Sequence, residues 1–591
     1  MNRKPVVMFG ATSGTVSRIS RFEGFVFDLA AHDTTEVVPA LEKVQAAVDE
    51  GYYAAGFISY EAAPALDESL AAKKSGGFPL LWFGVYRTRR WMPVAELSVA
   101  EGPSPYRLSG WRRSISKERY RDAVHRIRNY IAAGDLYQVN YTIRESCDFT
   151  GEVSEYFRRL SRSQATPYAA LLDLDGFSIL SASPELFFRL SDGRLTVRPM
   201  KGTAKRGRWE AEDAELAAML RNNEKERAEN LMIVDLLRND LGRISEIGSV
   251  AVESLFDVET LGTVHQMTST VSSRLRPECG LGDIFRALFP CGSITGAPKK
   301  RSMEVISELE DSPRGLYTGC VGYIGPRMRE ALFSVAIRTL VINKNDGKCE
   351  LGVGSGITWY SSPESEFEEC LAKGMFAKIP PIEFTLIESI LLVEGSGYFL
   401  LERHLARISQ SARYFGFSLD TDSMRSALEA LRRRVTGCNK VRIILSRDGS
   451  ASFELEPISQ DDKPAYPWIA FAEARVDSDN PFLYHKTSNR DLYLHELKKR
   501  PGCVDVIFIN ERGEVTEGAN NNLVIRRDGM LLTPPLTSGL LPGTFRAQLL
   551  EDGEISEAVI MPSDVEKADE IYLINSVRKW RLVRLVNGAA K

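Results

Sequence analysis

Apolar and polar positions follow two rhythms along this chain. Short extended runs at 24–29, 54–60 and 80–86 read as strands, whereas 117–133 repeats its apolar positions at helical spacing beneath a charged face. The two rhythms alternate through the first 380 residues, which predicts a large α/β or α+β unit. At AKIPPIEF (377–384) a Pro-Pro pair forces extended backbone. A new pattern follows, with strands in TLIESILLV and GYFLLE and a helix over 404–415. The expected division is a first domain over 1–378, a linker over 379–384 and a second domain over 385–591. Strands at 441–446, 452–455 and 468–476 precede the turn-forming VDSDNP, so the second domain should be bilobal, with lobes over 385–477 and 478–591. No repeat of about 20–50 residues is visible.

Length agrees with several domains: 591 residues exceed what one core organises. Apolar content of 43% and charged content of 26% are ordinary for globular chains, which argues against disordered or fibrous classes. Lys+Arg 75 against Asp+Glu 79 gives a net charge of −4 with no long run of either sign. No nucleic-acid or anionic-membrane footprint is expected, and the partner should be a small molecule. Eight cysteines without a Cys-x-x-Cys pair suggest neither a thiolate zinc site nor a disulfide framework and suit a reducing compartment. The start MNRKPVVMFGATSG lacks a leader-type apolar core and no long apolar run occurs, so a cytoplasmic protein without membrane spans is expected.

Candidate chemistry appears first in FPCGSITGAPKKRSMEVISELE (289–310), where small residues precede an amphipathic helix and leave backbone N–H groups for an anion. Ala-Pro-Lys follows Gly296 where a phosphate loop needs Gly-Lys-Ser/Thr, so that motif fails. GVGSG (352–356) leads into ITWYSSP rather than a helix and reads as close backbone approach to a ligand. In SPESEFEECLAKG (362–374), Glu366, Glu369 and Lys373 share one helical stripe, and Glu229 stands in a second helix at 226–240. A solvated charged face is the ordinary reading of such stripes; hard-oxygen ligands for Mg²⁺ is the other, and spacing leaves both open.

Eight ordered motifs add a resemblance. SASPELFF (181–188), PMKGT (199–203), ENLMIVDLLRNDLGRI (229–244), TVHQMTSTV (263–271), GSITGAPKKRSM (292–303), YTGCVGYIG (317–325), AIRT (336–339) and GVGSGI…EFEECLAK (352–373) resemble the chorismate-utilising enzymes, in particular component I of aminodeoxychorismate synthases. The resemblance implies an α/β/β/α sandwich, Mg²⁺ held by Glu229, Glu366 and Glu369, and a substrate pocket using Ser293, Thr295, Gly296, Tyr323, Arg338, Gly354 and Lys373. It also implies His265 near the departing hydroxyl and Glu185 as proton donor. Lys201 stands where the anthranilate and isochorismate synthases of the family carry Ala, which implies a covalent adduct that directs ammonia to C4 of chorismate. A lysine amine attacks only when neutral; burial or neighbouring cations such as Lys205 and Arg206 would favour that form. Asn230 replaces the family's usual His, and TWYSSPE (358–364) replaces an acidic stretch.

The second half offers ERHLARISQSARYFGF (402–417), YHKTSNRDLY (484–493) and the run 505–546 containing VTEGANNN and LPGTFR. Alone, Lys486 is an ordinary lysine. The ordered set resembles fold-type IV pyridoxal-phosphate enzymes, which include branched-chain and D-amino-acid aminotransferases and aminodeoxychorismate lyase. That implies a two-lobed fold with Lys486 bonded to pyridoxal phosphate, Glu517 on the pyridine nitrogen, Arg407 and Thr544 at the phosphate, and a homodimer as a candidate assembly. Lys486-x-x-Asn489-Arg490 favours the lyase. Joined to the first half, it implies synthesis of p-aminobenzoate from chorismate and ammonia. The alternative is a synthase fused to a class IV aminotransferase, and joint retention of both lysines with their carboxylates disfavours a silent binding scaffold. Glutamine hydrolysis needs an activated nucleophile, and Cys320 in TGCVGYIG reads as packed strand, so a separate glutamine amidotransferase subunit is the expected ammonia donor.

Overall fold

The computed structural model describes residues 5–13, 16–93, 106–164, 166–262, 264–379, 382–458 and 467–586. The chain's first four residues and the Pro-Pro pair of the expected linker lie outside that set. The chain forms two compact units: residues 1–206 with 217–381, and residues 207–216 with 382–591. No helix among the described residues is long and apolar enough to cross a membrane.

In the first unit every described strand pairing is antiparallel. Strands Val6–Ser13, Val16–Ala31, Leu81–Pro93 and Tyr53–Ile58 pair in that order; Cys320–Ile324 continues the network past Tyr53–Ile58, and Tyr168–Asp173 and Phe177–Ser183 continue it past Val6–Ser13. Phe9, Phe22, Phe57, Tyr86, Leu172 and Ile179 from both stretches share one apolar cluster. A second, larger core lies under helices including Thr34–Asp49, Lys117–Ala132, Glu224–Gly242, Leu281–Leu288 and Lys299–Leu309. Sheet thus packs on sheet with helices outside, a layered mixed α/β architecture.

Two helices carry the candidate metal-binding carboxylates, and their sequence explains how. In Glu224–Gly242 the stripe Asn230, Ile233, Leu237, Leu241 is buried, and its N-terminal continuation is Glu226. Asn223 caps this helix by accepting from the Glu226 N–H at 3.0 Å. In Pro363–Lys378 the core stripe is Phe367, Cys370, Gly374 and Ala377. Glu366, Glu369, Lys373 and Phe376 each stand one position earlier, so they form the adjacent stripe.

The second unit holds two sheets. Four strands in the order Gly397–Tyr398, Leu386–Val393, Cys438–Leu445, Ala451–Pro457 are covered by helices Leu401–Phe415 and Thr421–Arg432. The other sheet has eight strands. Trp468–Val476 belongs to it, pairing in parallel with Asp505–Asn510 and Lys579–Leu585. The lobe break therefore falls before residue 468 rather than at 477: the turn signal in VDSDNP is local, whereas parallel pairing is set by distant strands. The segment Gly207–Leu216 also packs in this unit. Trp209 stacks near Tyr484 with ring centroids 5.0 Å apart, and Arg208 donates to the Ser478 carbonyl at 3.2 Å.

Candidate active sites

A cavity of about 260 Å³ in the first unit collects Lys201, Glu185, Ser293, Arg338, Gly354, Lys373, Glu229, Glu366 and Glu369 from positions spread over almost 190 residues of sequence. Lys201 lies in strand Met200–Lys205. Its carbonyl accepts from Asn230 Nδ2 at 3.3 Å, and Asn230 Oδ1 accepts from Ser269 at 2.5 Å, so the residue that departs from the family pattern anchors the lysine's backbone. A Cβ at Gly356 would stand 2.4 Å from Gln138 Nε2 and 2.8 Å from Lys201 Nζ, so a larger residue there would have to displace these side-chain ends. Burial is the main reason the Lys201 amine titrates below its ordinary range; the Lys373 charge adds to it, while Glu229 and Glu185 oppose it. Lys373, rather than Lys205 or Arg206, is the cation that matters.

Glu185 is fully enclosed and accepts from Ser293 Oγ at 2.6 Å. Burial pushes its carboxyl up to about 7 against that hydrogen bond and the Lys201 charge. Arg338 adopts left-handed backbone at φ 47, a costly conformation for a non-glycine residue, and lines the cavity. Lys373 Nζ donates to the Gly354 carbonyl at 3.1 Å and pairs with Glu369 at 2.6 Å. Glu229 stands 3.9 Å from Lys225. Among the described residues no three acidic, His or Cys side chains already surround a single point as a metal cage would. Besides Glu185, four carboxylates nonetheless line this cavity, Glu226 joining Glu229, Glu366 and Glu369, and hard oxygen donors of that number suit Mg²⁺ shared with substrate.

Four expected residues are elsewhere. Tyr323 belongs to the inter-sheet core, edge-on to Phe9 and beneath Arg89, because every residue of strand Cys320–Ile324 is buried between neighbouring strands. Tyr317, just before that strand, lines the cavity instead, and its ring leaves no room for a Cβ at Gly352. GVGSG is thus glycine-rich for the approach of Tyr317 and Lys201. His265 does not line the cavity: strand alternation puts Gln266 on that side, donating to the Gly202 carbonyl at 2.8 Å, while His265 Nδ1 meets Thr260 Oγ1 at 3.2 Å. Thr295 turns its hydroxyl to the Cys291 and Gly292 carbonyls, and Gly296 pairs with Val139; only Ser293 and Ile294 of that loop reach the cavity wall. Glu226 escaped the sequence reading although its three-residue spacing from Glu229 was a usable signal.

The second unit has its own cavity of about 250 Å³, lined by Arg407, Lys486, Asn489, Arg490, Tyr493, Glu517, Asn522 and Thr544. Burial lowers the Lys486 amine to about 8, reinforced by Arg407 and Arg490. Burial raises Glu517 to about 8. Asn522 Nδ2 and Tyr493 Oη donate to it at 3.2 and 3.3 Å. An enclosed carboxylate held this high is suited to a cationic ring nitrogen, so the residues fit the pyridine of pyridoxal phosphate.

Arg407 is more committed than its motif suggested. Glu388, 1% exposed, accepts from Arg407 Nε at 2.8 Å and from Arg407 Nη2 at 2.7 Å, and lies 2.7 Å from His404 Nδ1. The remaining Nη1 donates to the Pro542 carbonyl at 3.0 Å. His404 Nε2 in turn lies 3.2 Å from Thr544 Oγ1, so a buried chain of hydrogen bonds links Glu388 to the helix Thr544–Glu551. Glu388 was not singled out from sequence. A lone Glu inside the apolar strand LIESILLV was the available sign, since a buried charge requires a partner.

Residues 9–378 match the family model described as chorismate binding enzyme. The chain belongs to the chorismate binding enzyme family. Residues 385–586 match the model for amino-transferase class IV, a group implying pyridoxal phosphate. Aminodeoxychorismate synthase component 1 of Klebsiella aerogenes is 42% identical over 265 residues, 45% of this chain and 58% of that protein. Anthranilate synthase component 1 of Aquifex aeolicus is 40% identical over 277 residues, 47% of this chain and 55% of that protein. The chain thus spans little more than half the length of these relatives. The solved anthranilate synthase component I of Streptococcus pneumoniae TIGR4 aligns with a TM-score of 0.53 at 26% identity, covering 64% of this chain and 91% of that one.

Proposed function

We propose that the chain makes p-aminobenzoate in two consecutive reactions: chorismate and ammonia to 4-amino-4-deoxychorismate and water in the first unit, then 4-amino-4-deoxychorismate to p-aminobenzoate and pyruvate in the second. Relatives named for anthranilate and for aminodeoxychorismate synthesis are about equally similar, so family membership alone does not choose between these chemistries. The observation that carries the choice is Lys201 with its amine in the cavity, one glycine-sized gap from Gly356 and beside Glu185.

The neutral Lys201 amine attacks C2 of chorismate; the ring double bonds shift, and the C4–O bond breaks as Glu185 gives its proton to the departing hydroxyl. Ammonia then forms the C4–N bond and the C2–Nζ bond breaks, releasing the lysine. Arg338 and Lys373 hold the substrate carboxylates. Glu229, Glu366 and Glu369 would hold Mg²⁺, which supplies positive charge between these carboxylates and the dianionic substrate. A separate glutamine amidotransferase subunit would provide ammonia.

In the second unit, pyridoxal phosphate would supply an electron sink, with Lys486 as its attachment point, Glu517 opposite its ring nitrogen, and Thr544, Arg407 and the backbone at Gly543 facing its phosphate. Lys486, neutral in much of its population near pH 8, takes the proton from C4, and loss of enolpyruvate aromatises the ring. The test is chorismate, ammonium and Mg²⁺ with and without pyridoxal phosphate, products separated by chromatography. Aminodeoxychorismate without the cofactor and p-aminobenzoate with it are expected; anthranilate as the main product would overturn the first half. Fast transamination of an amino acid with 2-oxoglutarate, without pyruvate release from aminodeoxychorismate, would overturn the second.

A further inference from the structure

Besides Arg490, which donates to the Ala519 carbonyl and to Asn520 Oδ1, the cavity of the second unit carries two cations that neither cofactor anchoring nor proton transfer uses. Lys440 lies in strand Cys438–Leu445 of the four-stranded sheet, and Arg578 in the turn between Glu570–Asn575 and Lys579–Leu585 of the eight-stranded sheet; both line the cavity. The turn is pinned. Asn575 Oδ1 accepts from the N–H groups of Val577 and Arg578 at 2.9 and 2.7 Å, and Asn575 Nδ2 donates to Asn521 at 2.6 Å. Across the lobes, Ser576 Oγ donates to the Ser389 carbonyl at 3.4 Å. Ser389 is the register partner of Arg442, two residues from Lys440 on the same face of its strand, so the turn is held close to Lys440.

Glu456 joins the two. It is the cross-strand partner of Lys440 and accepts from its Nζ at 2.8 Å. Lys440 chiefly, and Arg578 to a smaller degree, hold its carboxyl below the usual range. Its side chain is 63% exposed, against 1% for Glu388, the carboxylate that Arg407 holds. The Arg407 pair is sealed, whereas the Lys440–Glu456 pair faces water and can exchange partners at little cost.

We infer that Lys440 and Arg578 form a subsite for a substrate carboxylate remote from the reacting amine, and that Glu456 is an internal carboxylate occupying that subsite until substrate arrives. The inference deepens the proposed lyase reading and rests on it for the substrate's identity. An α-amino acid carries amine and carboxylate on one carbon; aminodeoxychorismate carries its ring carboxylate across the ring from the amine. A rim subsite separated from Lys486 suits the second pattern. Arg578 would supply a planar fork to the carboxylate and Lys440 a point charge.

The experiment titrates the holoenzyme with p-aminobenzoate and with aniline, which lacks the carboxylate, reading cofactor absorbance. Wild-type protein should prefer p-aminobenzoate. Arg578→Met and Lys440→Met should each weaken p-aminobenzoate binding about tenfold, with aniline binding unchanged. Glu456→Gln should have the opposite sign and tighten p-aminobenzoate binding. Equal losses on both probes, no loss, or weaker binding in Glu456→Gln would each overturn the subsite. Pyruvate release from aminodeoxychorismate by wild-type protein is measured in parallel. Its absence would sink the lyase reading while the titration still reports on the subsite.

Discussion

The two cavities treat their lysines in opposite electrostatic settings. Around Lys201 the wall carries Glu185, Glu226, Glu229, Glu366 and Glu369 against Lys225, Arg338 and Lys373. Around Lys486 it carries Arg407, Arg490, Lys440 and Arg578 against Glu517 and Glu456. Burial lowers both amines; the leading charge opposes it at Lys201, where Glu229 outweighs Lys373, and reinforces it at Lys486, where Arg407 and Arg490 come before Glu388 and Glu517. Burial is the leading cause at both lysines, so the surrounding charge can differ in sign and serve the ligand. The acidic wall suits a metal cation brought in with a dianion; the basic wall suits phosphate and carboxylate ligands directly.

The sharpest break in this comparison is to remove each lysine. Lys201→Ala should cut aminodeoxychorismate formation by roughly 10⁴-fold or more while pyruvate release from supplied aminodeoxychorismate persists. Lys486→Ala should do the reverse and accumulate aminodeoxychorismate, and borohydride trapping followed by peptide mapping should mark Lys486 in wild-type protein. Loss of both activities in either variant would show that the two chemistries are not separate.

Next in size is Glu185→Gln, expected to lower synthase turnover on the order of 10²–10⁴-fold. The pH profile sharpens it. Glu185 is held up to about 7, so it is protonated below that value and ionised above, and synthase turnover at saturating free ammonia should fall as pH rises through about 7. A profile unmoved in that range would remove Glu185 as the proton donor.

Glu366→Gln or Glu369→Gln tests the acidic wall. Either should weaken the Mg²⁺ dependence of the synthase about tenfold and leave the lyase unaltered, read by metal titration of each activity. The smallest effect on chemistry, though not on stability, is expected from Glu388→Gln. Breaking its buried pairs with Arg407 and His404 should cost the second unit about 3–5 kcal/mol in denaturant unfolding and weaken cofactor binding, with synthase turnover unchanged.

The sequence by itself carried much of this protein. Strand and helix rhythms placed elements such as Lys117–Ala132 and Trp468–Val476, because periodicity is a local property of the chain. Helical spacing put Glu366, Glu369 and Lys373 on one stripe, and ordered motifs singled out Lys201 and Lys486. What needed tertiary structure was every choice between faces and partners. Tyr323 and Tyr317 stand in one motif, yet only the packing of strand Cys320–Ile324 between its neighbours sends the first into the core and leaves the second at the cavity. Gln266 and His265 differ by one residue and hence by one side of a strand. Glu388, Arg407 and His404 combine only because a strand and a helix meet, and Gly207–Leu216 packs with residues far along the chain. A sequence states which residues are able to bear charge or fill a core; which of them meet depends on long-range pairing, whose free energy is shared over many contacts and written at no single position.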